Sequence, residues 1–214
     1  MAPTSLHTIP SEVMWSADTL KIARWTTAEA VDWPGRTVLT VLVQGCPWSC
    51  TSCETPDLSD PLIAGAVTWQ DVRTVIKRSR GGLDGVVFSG GEPTRQDGLA
   101  DAMEQVRALG LPVGLHTSGS YPQRLAAVLS LADRVVLEVK APATLYRAIT
   151  GVGASAHKAY ASLRLCLDAG VDLQVRTVVD PDVLTPEVMA AFRENLAQMG
   201  VHDHVVVYPA IATS

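Results

Sequence analysis

Three cysteines, Cys46, Cys50 and Cys53, stand in the run Gln44-Gly45-Cys46-Pro47-Trp48-Ser49-Cys50-Thr51-Ser52-Cys53. Three thiolates so closely spaced suit iron–sulfur ligation, and in a four-iron cluster they leave one iron without a protein ligand. That open iron can bind a reactive small molecule. A structural zinc knuckle would need a fourth ligand, yet His7 precedes the run at a distance and His116, His157, His202 and His204 are remote in sequence. Cys166 stands alone in an apolar helical stretch and reads as a small buried hydrophobe.

A second group follows in Ser89-Gly90-Gly91-Glu92-Pro93. Two glycines after a strand let backbone groups approach a ligand closely, and Glu92 offers an anionic acceptor to an ammonium group such as that of an amino acid. The same glycines would also serve a plain tight turn. Lys140 closes an apolar run and taken by itself would read as a strand-end lysine reaching for solvent. Arg176 lies inside an apolar strand, where an unpaired charge is costly, so it faces a carboxylate or a bound cofactor, or forms a structural salt bridge. His116, His202 and His204 are lone histidines near strands and receive no catalytic assignment.

These residues need elements to position them. Apolar, Val- and Leu-rich runs recur at 38–43, 85–89, 111–116, 134–139, 172–179 and 204–208, and stretches with helical spacing lie between them at 69–80, 98–109, 122–131, 156–169 and 186–199. Gly110, Gly170 and Gly200 fall where helix ends want a left-handed residue. The alternation predicts an α/β fold with a parallel sheet of about six βα units. Periodicity does not choose between an open doubly wound sheet and a partly closed barrel; a partial (β/α)6 TIM-like barrel is the form expected here. In either arrangement ligands gather at the carboxyl ends of the strands. The cysteines follow the first predicted strand, Gly90-Gly91-Glu92 the second, Thr117-Ser118 the third and Lys140 the fourth. Residues 44–67, with the cysteines, three prolines and few helical signals, read as a functional loop. Residues 1–20 lack periodicity and read as an N-terminal extension, leaving 21–214 as one domain.

Composition sets the outer bounds. The chain has 214 residues, 47% hydrophobic and 18% charged, which suits a sheet buried on both faces. Its net charge of -5 and lack of a basic run argue against a nucleic-acid partner. Met1 to Ser16 shows no secretory pattern, and the longest uncharged stretch, Thr37 to Cys53, is too broken by polar residues and proline to span a membrane. A cytoplasmic setting is expected, where clustered cysteines more often hold metal than form disulfides.

Taken together, the cysteine run and Gly90-Gly91-Glu92 resemble the radical S-adenosylmethionine superfamily. Ala30-Val31-Asp32-Trp33-Pro34-Gly35-Arg36 ahead of Gln44-Gly45-Cys46-Pro47-Trp48 is similar to the activating proteins of anaerobic ribonucleoside-triphosphate reductase. That likeness continues through Lys140-Ala141-Pro142, Tyr146, Thr150-Gly151 and Arg176-Thr177-Val178-Val179. The resemblance implies that Cys46, Cys50 and Cys53 hold a [4Fe-4S] cluster whose open iron chelates S-adenosylmethionine. It further implies reductive cleavage of the sulfonium and a 5′-deoxyadenosyl radical that takes hydrogen from a glycine of a large partner enzyme. A flavodoxin- or ferredoxin-type donor would supply the electron. By the same resemblance Gly90, Gly91 and Glu92 meet the methionine amino group, Thr117 and Ser118 line the cofactor pocket, and Glu138 and Lys140 match an Asp-x-Lys motif.

The chain departs from the family pattern at several positions. Ser52 replaces the usual aromatic residue before the third cysteine, with Trp48 as a substitute contact for adenine. Glu54-Thr55-Pro56 stands where relatives have His-Asn-Pro, His116 stands where they have an acidic residue, and Glu138 where they have an aspartate. Cys53-Glu54-Thr55 also faintly resembles the Cys-Asp-Thr of 7-carboxy-7-deazaguanine synthases, which act on a small molecule. A third reading is an iron–sulfur protein that has lost turnover.

Overall fold

The computed structural model describes residues 16–29, 33–79 and 81–208. A single sheet of seven strands runs in chain order: β1 (Ile22–Glu29), β2 (Thr37–Val43), β3 (Gly85–Gly90), β4 (Val113–Thr117), β5 (Arg134–Glu138), β6 (Asp172–Val178) and β7 (His204–Val207). From β2 to β7 every neighbouring pair is parallel, as six βα units require. The strand order does not bring β7 back to β1, so the barrel is partial, as expected.

An antiparallel edge strand adds to the six expected parallel ones. β1 pairs antiparallel with β2 and forms the sheet edge. Its residues Arg24 to Ala28 are exposed, so it lacks the continuous apolar run of a strand buried on both faces. β2, β3 and β5 do show that run: Val38, Leu39, Val41, Val43, Val86, Phe88, Val135 and Leu137 are almost fully buried.

Among the described residues six α-helices join the strands: α1 (Trp69–Arg78), α2 (Leu99–Ala108), α3 (Pro122–Val128), α4 (Tyr146–Thr150), α5 (Ser155–Ala169) and α6 (Pro186–Gln198). α1 starts on a capping box in which Thr68 and Asp71 satisfy each other's backbone N–H. α6 starts on Thr185 with Pro186 in its first turn. The three expected end glycines, Gly110, Gly170 and Gly200, all take positive φ. Helix residues such as Trp69, Val72, Met103, Leu163 and Phe192 pack with the outward strand residues into one core. Cys166 is buried in α5 within that core, and burial pushes its thiol up to about 12. Part of the expected N-terminal extension belongs to the packed domain: Ala17 and Leu20 join the core, and the Ala17 N–H donates to Asp101 at 2.7 Å. Residues 1–15, and Asp32 of the Asp-Trp-Pro-Gly motif, lie outside the described residues.

Strand periodicity decides what faces the barrel interior, since alternate side chains share a face. Gly114 and His116 of β4 share one face with Arg134, Val136 and Glu138 of β5 and, by register, with Asp172, Gln174 and Arg176 of β6. Both mouths of this interior are therefore charged, with Arg134 at the amino-terminal end and Glu138 and Arg176 at the carboxyl-terminal end. Trp33 fills the amino-terminal mouth: a methyl group on Gly85 or Gly114 would come within 3.2 Å of its ring. Arg36 stacks on that ring with its guanidinium carbon 4.8 Å from the centroid.

Candidate active site

The cysteine loop leaves β2 and lies across the carboxyl ends of the strands. Its first part is held by backbone bonds: Gly45 N–H to Leu58 O at 2.8 Å, Cys46 N–H to Ser59 O at 2.9 Å, Ser49 N–H to Thr150 O at 3.2 Å and Thr51 N–H to Ile149 O at 2.9 Å. Two of the acceptors are the last carbonyls of α4, which a helix end leaves free. Trp48, 3% exposed, meets the Tyr146 ring edge-on at 5.9 Å. Tyr146 is buried and accepts the Lys140 N–H at 3.0 Å, which ties the same helix to the end of β5.

Cys46, Cys50 and Cys53 all line one pocket together with Trp48, Glu54, Gly90, Gly91, His116, Ser118, Glu138 and Lys140. Cys46 and Cys50 are half-buried and packed against the core, whereas Cys53 is exposed. Burial raises the Cys46 thiol to about 12, the Trp48 N–H and the more distant Lys140 ammonium opposing it and Glu92 and Cys50 adding to it. Cys50 is raised by burial as well, again against the pull of Lys140. Among the described residues no three His, Cys, Asp or Glu side chains converge on one point where a single ion could sit. A four-iron cluster does not ask for that, because each thiolate takes its own iron. Three thiols around one pocket, with Lys140 near two of them, fit the donor set of such a cluster.

Glu138 sits at the centre of the pocket's charge. Its carboxylate meets Lys140 Nζ on one oxygen, and on the other His116 Nε2 at 3.1 Å and Arg176 Nη1 at 3.0 Å. Burial alone would raise this carboxyl, but Lys140 and His116 outweigh it and hold Glu138 well below the ordinary glutamate value. The reciprocal holds at Lys140, where burial works against the ammonium and Glu138 more than offsets it. Arg176 also grips Glu54 with two nearly parallel bonds of 2.5 and 2.8 Å, the fork geometry that makes arginine–carboxylate pairs directional. Of the alternatives open for Arg176, the structure shows carboxylate partners.

Glu92 plays a different part from the one expected. It is fully buried, and its two oxygens accept from Thr94 N–H (3.0 Å), Thr94 Oγ1 (2.6 Å), Thr117 Oγ1 (2.6 Å), Ser118 N–H (2.8 Å) and Ser118 Oγ (2.5 Å). Those donors fill its acceptor capacity, so Glu92 braces the ends of β3 and β4 behind the pocket instead of presenting a free acceptor to an ammonium group. The glycines before it are required by packing. A Cβ on Gly90 would lie 2.4 Å from Val43 N, and one on Gly91 2.6 Å from Gly45 O, so only glycine lets β3 end against the start of the cysteine loop. Thr117 is thereby occupied with Glu92, while Ser118 also lines the pocket.

Sequence reasoning missed the contribution of α4. Tyr146 and Thr150-Gly151 entered only through the family likeness, yet α4 holds the cysteine loop through backbone carbonyls. His204, on the outer side of the sheet, meets Thr177 Oγ1 and the Phe192 ring and takes no part in the pocket.

The sequence model of the Radical SAM superfamily matches residues 40–198, and the chain belongs to that superfamily. Its cofactors are accordingly a [4Fe-4S] cluster and S-adenosylmethionine. Among solved structures, SuiB from Streptococcus suis bound to S-adenosylmethionine superposes with a TM-score of 0.63 at 15% identity, covering 80% of this chain and 40% of SuiB. The chain thus spans well under half the length of that neighbour. QueE from Escherichia coli superposes with a TM-score of 0.52 at 15% identity, covering 88% of this chain and 93% of QueE. Both likenesses are at the level of the fold. No curated protein sequence matches the chain. No helix among the described residues is long and apolar enough to cross a membrane.

Proposed function

We propose that the protein is a radical S-adenosylmethionine activase that installs a glycyl radical on a partner enzyme, an anaerobic ribonucleotide reductase. What supports this reading most is the double role of the residues that carry the likeness to such activases. Tyr146, Thr150 and Lys140-Ala141-Pro142 are the ones that brace the cysteine loop and set Lys140 against Glu138. When bound, the cluster and S-adenosylmethionine supply reductive sulfonium cleavage and a carbon radical able to abstract hydrogen. The chain's own residues do the rest. Cys46, Cys50 and Cys53 hold the cluster, and Lys140 offsets thiolate charge beside it. The pocket edge made by Gly90, Gly91 and Ser118 receives the methionine end, and Glu138, His116 and Arg176 fix the far wall.

The test is spin-resonance spectroscopy after anaerobic mixing of the reconstituted protein, reductant, S-adenosylmethionine and the candidate reductase. The expected result is a glycyl radical signal on the reductase; verified cofactor cleavage with a flat spectrum would refute the activase reading. In the cell a flavodoxin- or ferredoxin-type protein would deliver the electron.

A second reading, a radical enzyme acting on a small molecule, draws on Cys53-Glu54-Thr55. In the structure Thr55 Oγ1 donates to Gly90 O at 3.2 Å and Glu54 is engaged by Arg176, so both side chains already have protein partners.

A further inference from the structure

We propose that Glu54 is the positioning residue for the third cluster ligand, Cys53, acting through its forked pair with Arg176. The inference rests on the reading of Cys46, Cys50 and Cys53 as the cluster ligands. The loop is held unevenly. Around Cys46 and Cys50, four backbone bonds and core packing fix the chain. Among the described residues, no backbone hydrogen bond ties Ser52, Cys53 or Glu54 to another part of the chain. Their tethers are side chains: Ser52 Oγ reaches Val178 O only at 3.5 Å, Thr55 Oγ1 reaches Gly90 O at 3.2 Å, and Glu54 makes the two short bonds to Arg176. The guanidinium is itself immobilised by Glu138 on the neighbouring strand, so the anchor is stiff. A side chain one residue beyond the thiol, clamped by two bonds to β6, sets where that thiol points. The Glu54 side chain is 46% exposed, so the clamp is open to salt in a way the anchors of Cys46 and Cys50 are not.

The test compares full-length wild type, Glu54→Ala, Glu54→Asp and Asp57→Ala after anaerobic reconstitution. Asp57 is the control, since it forms the loop's other exposed ion pair, with Arg24 at 2.5 Å. The readouts are iron and sulfide per chain and the rate at which an iron chelator bleaches the cluster's visible absorbance, at low and high salt. At low salt Glu54→Ala should bleach about fivefold faster than wild type, as loss of a half-exposed charge pair allows. High salt should bring wild type toward that rate. Glu54→Asp, too short to span the distance, should bleach like Glu54→Ala, and Asp57→Ala like wild type. Equal bleaching by wild type and Glu54→Ala, or equally fast bleaching by Asp57→Ala, would overturn the inference. Wild type that takes up no iron and sulfide would instead overturn the ligand reading on which it rests.

Discussion

The two mouths of the barrel interior are built from similar residues and do different things. At the amino-terminal mouth Arg134 Nη1 donates to both Asp172 oxygens at 2.8 and 2.9 Å and Nη2 reaches Asp203 at 3.4 Å, while Gln174 donates to Asp203 at 3.0 Å. At the carboxyl-terminal mouth Arg176 forks onto Glu54 and touches Glu138. The lower acids are half exposed, at 56% and 46%, and the network sits beside the Trp33 plug. The upper one surrounds a carboxylate only 16% exposed, and it lines a pocket shared with three cysteines. A buried arginine alone therefore does not mark a site in this fold. What marks it is a buried carboxylate with several cationic partners beside reactive side chains.

The comparison can be broken most decisively at the cysteines. Cys50→Ala should abolish the cluster's visible absorbance after reconstitution; a full spectrum from that variant would remove the upper mouth's claim to be the site. Glu92→Gln should come next in size. It sets an amide N–H2 against donors that now meet a carboxylate, at a cost of about 3 kcal/mol in urea unfolding of the unloaded chain. A loss below about 1 kcal/mol would mean that the five bonds are not a structural brace. Arg134→Met at the lower mouth should cost about 1 kcal/mol and leave cluster content and cofactor cleavage unchanged.

The smallest effect is a pH dependence. Because the folded-state Glu138 carboxyl lies well below its ordinary value of 4.5, its contribution is fully present above that value. It fades as pH falls through the folded-state value. The stability gap between wild type and Glu138→Gln should therefore shrink as pH falls below 4.5. A gap that widened on acidification would contradict the ion-pair account.

Much of this contrast could be read in the chain beforehand, though not all of it. The six parallel strands were legible because burial on both faces forces unbroken apolar runs, and the cysteines because their spacing is chemically specific. β1 was not legible, since Arg24 to Ala28 face solvent and nothing in their order requires a strand. The direction of the Glu92 side chain was hidden as well. The sequence places it at the strand end, but the Gly90 backbone, at φ 115°, and the close approach of Gly45 help set its path. The Glu54–Arg176 pair joins residues 122 positions apart, so Glu54 read only as a departure from pattern. α4 acts through carbonyls, which every residue type carries.

The central claim is that chemistry resides at the carboxyl-terminal mouth. The most direct measurement is chromatographic quantitation of 5′-deoxyadenosine formed anaerobically from S-adenosylmethionine by reconstituted wild type, Cys50→Ala and Arg134→Met. The account predicts product from wild type and Arg134→Met and none from Cys50→Ala. Product from Cys50→Ala, or none from wild type that carries a full cluster, would contradict it.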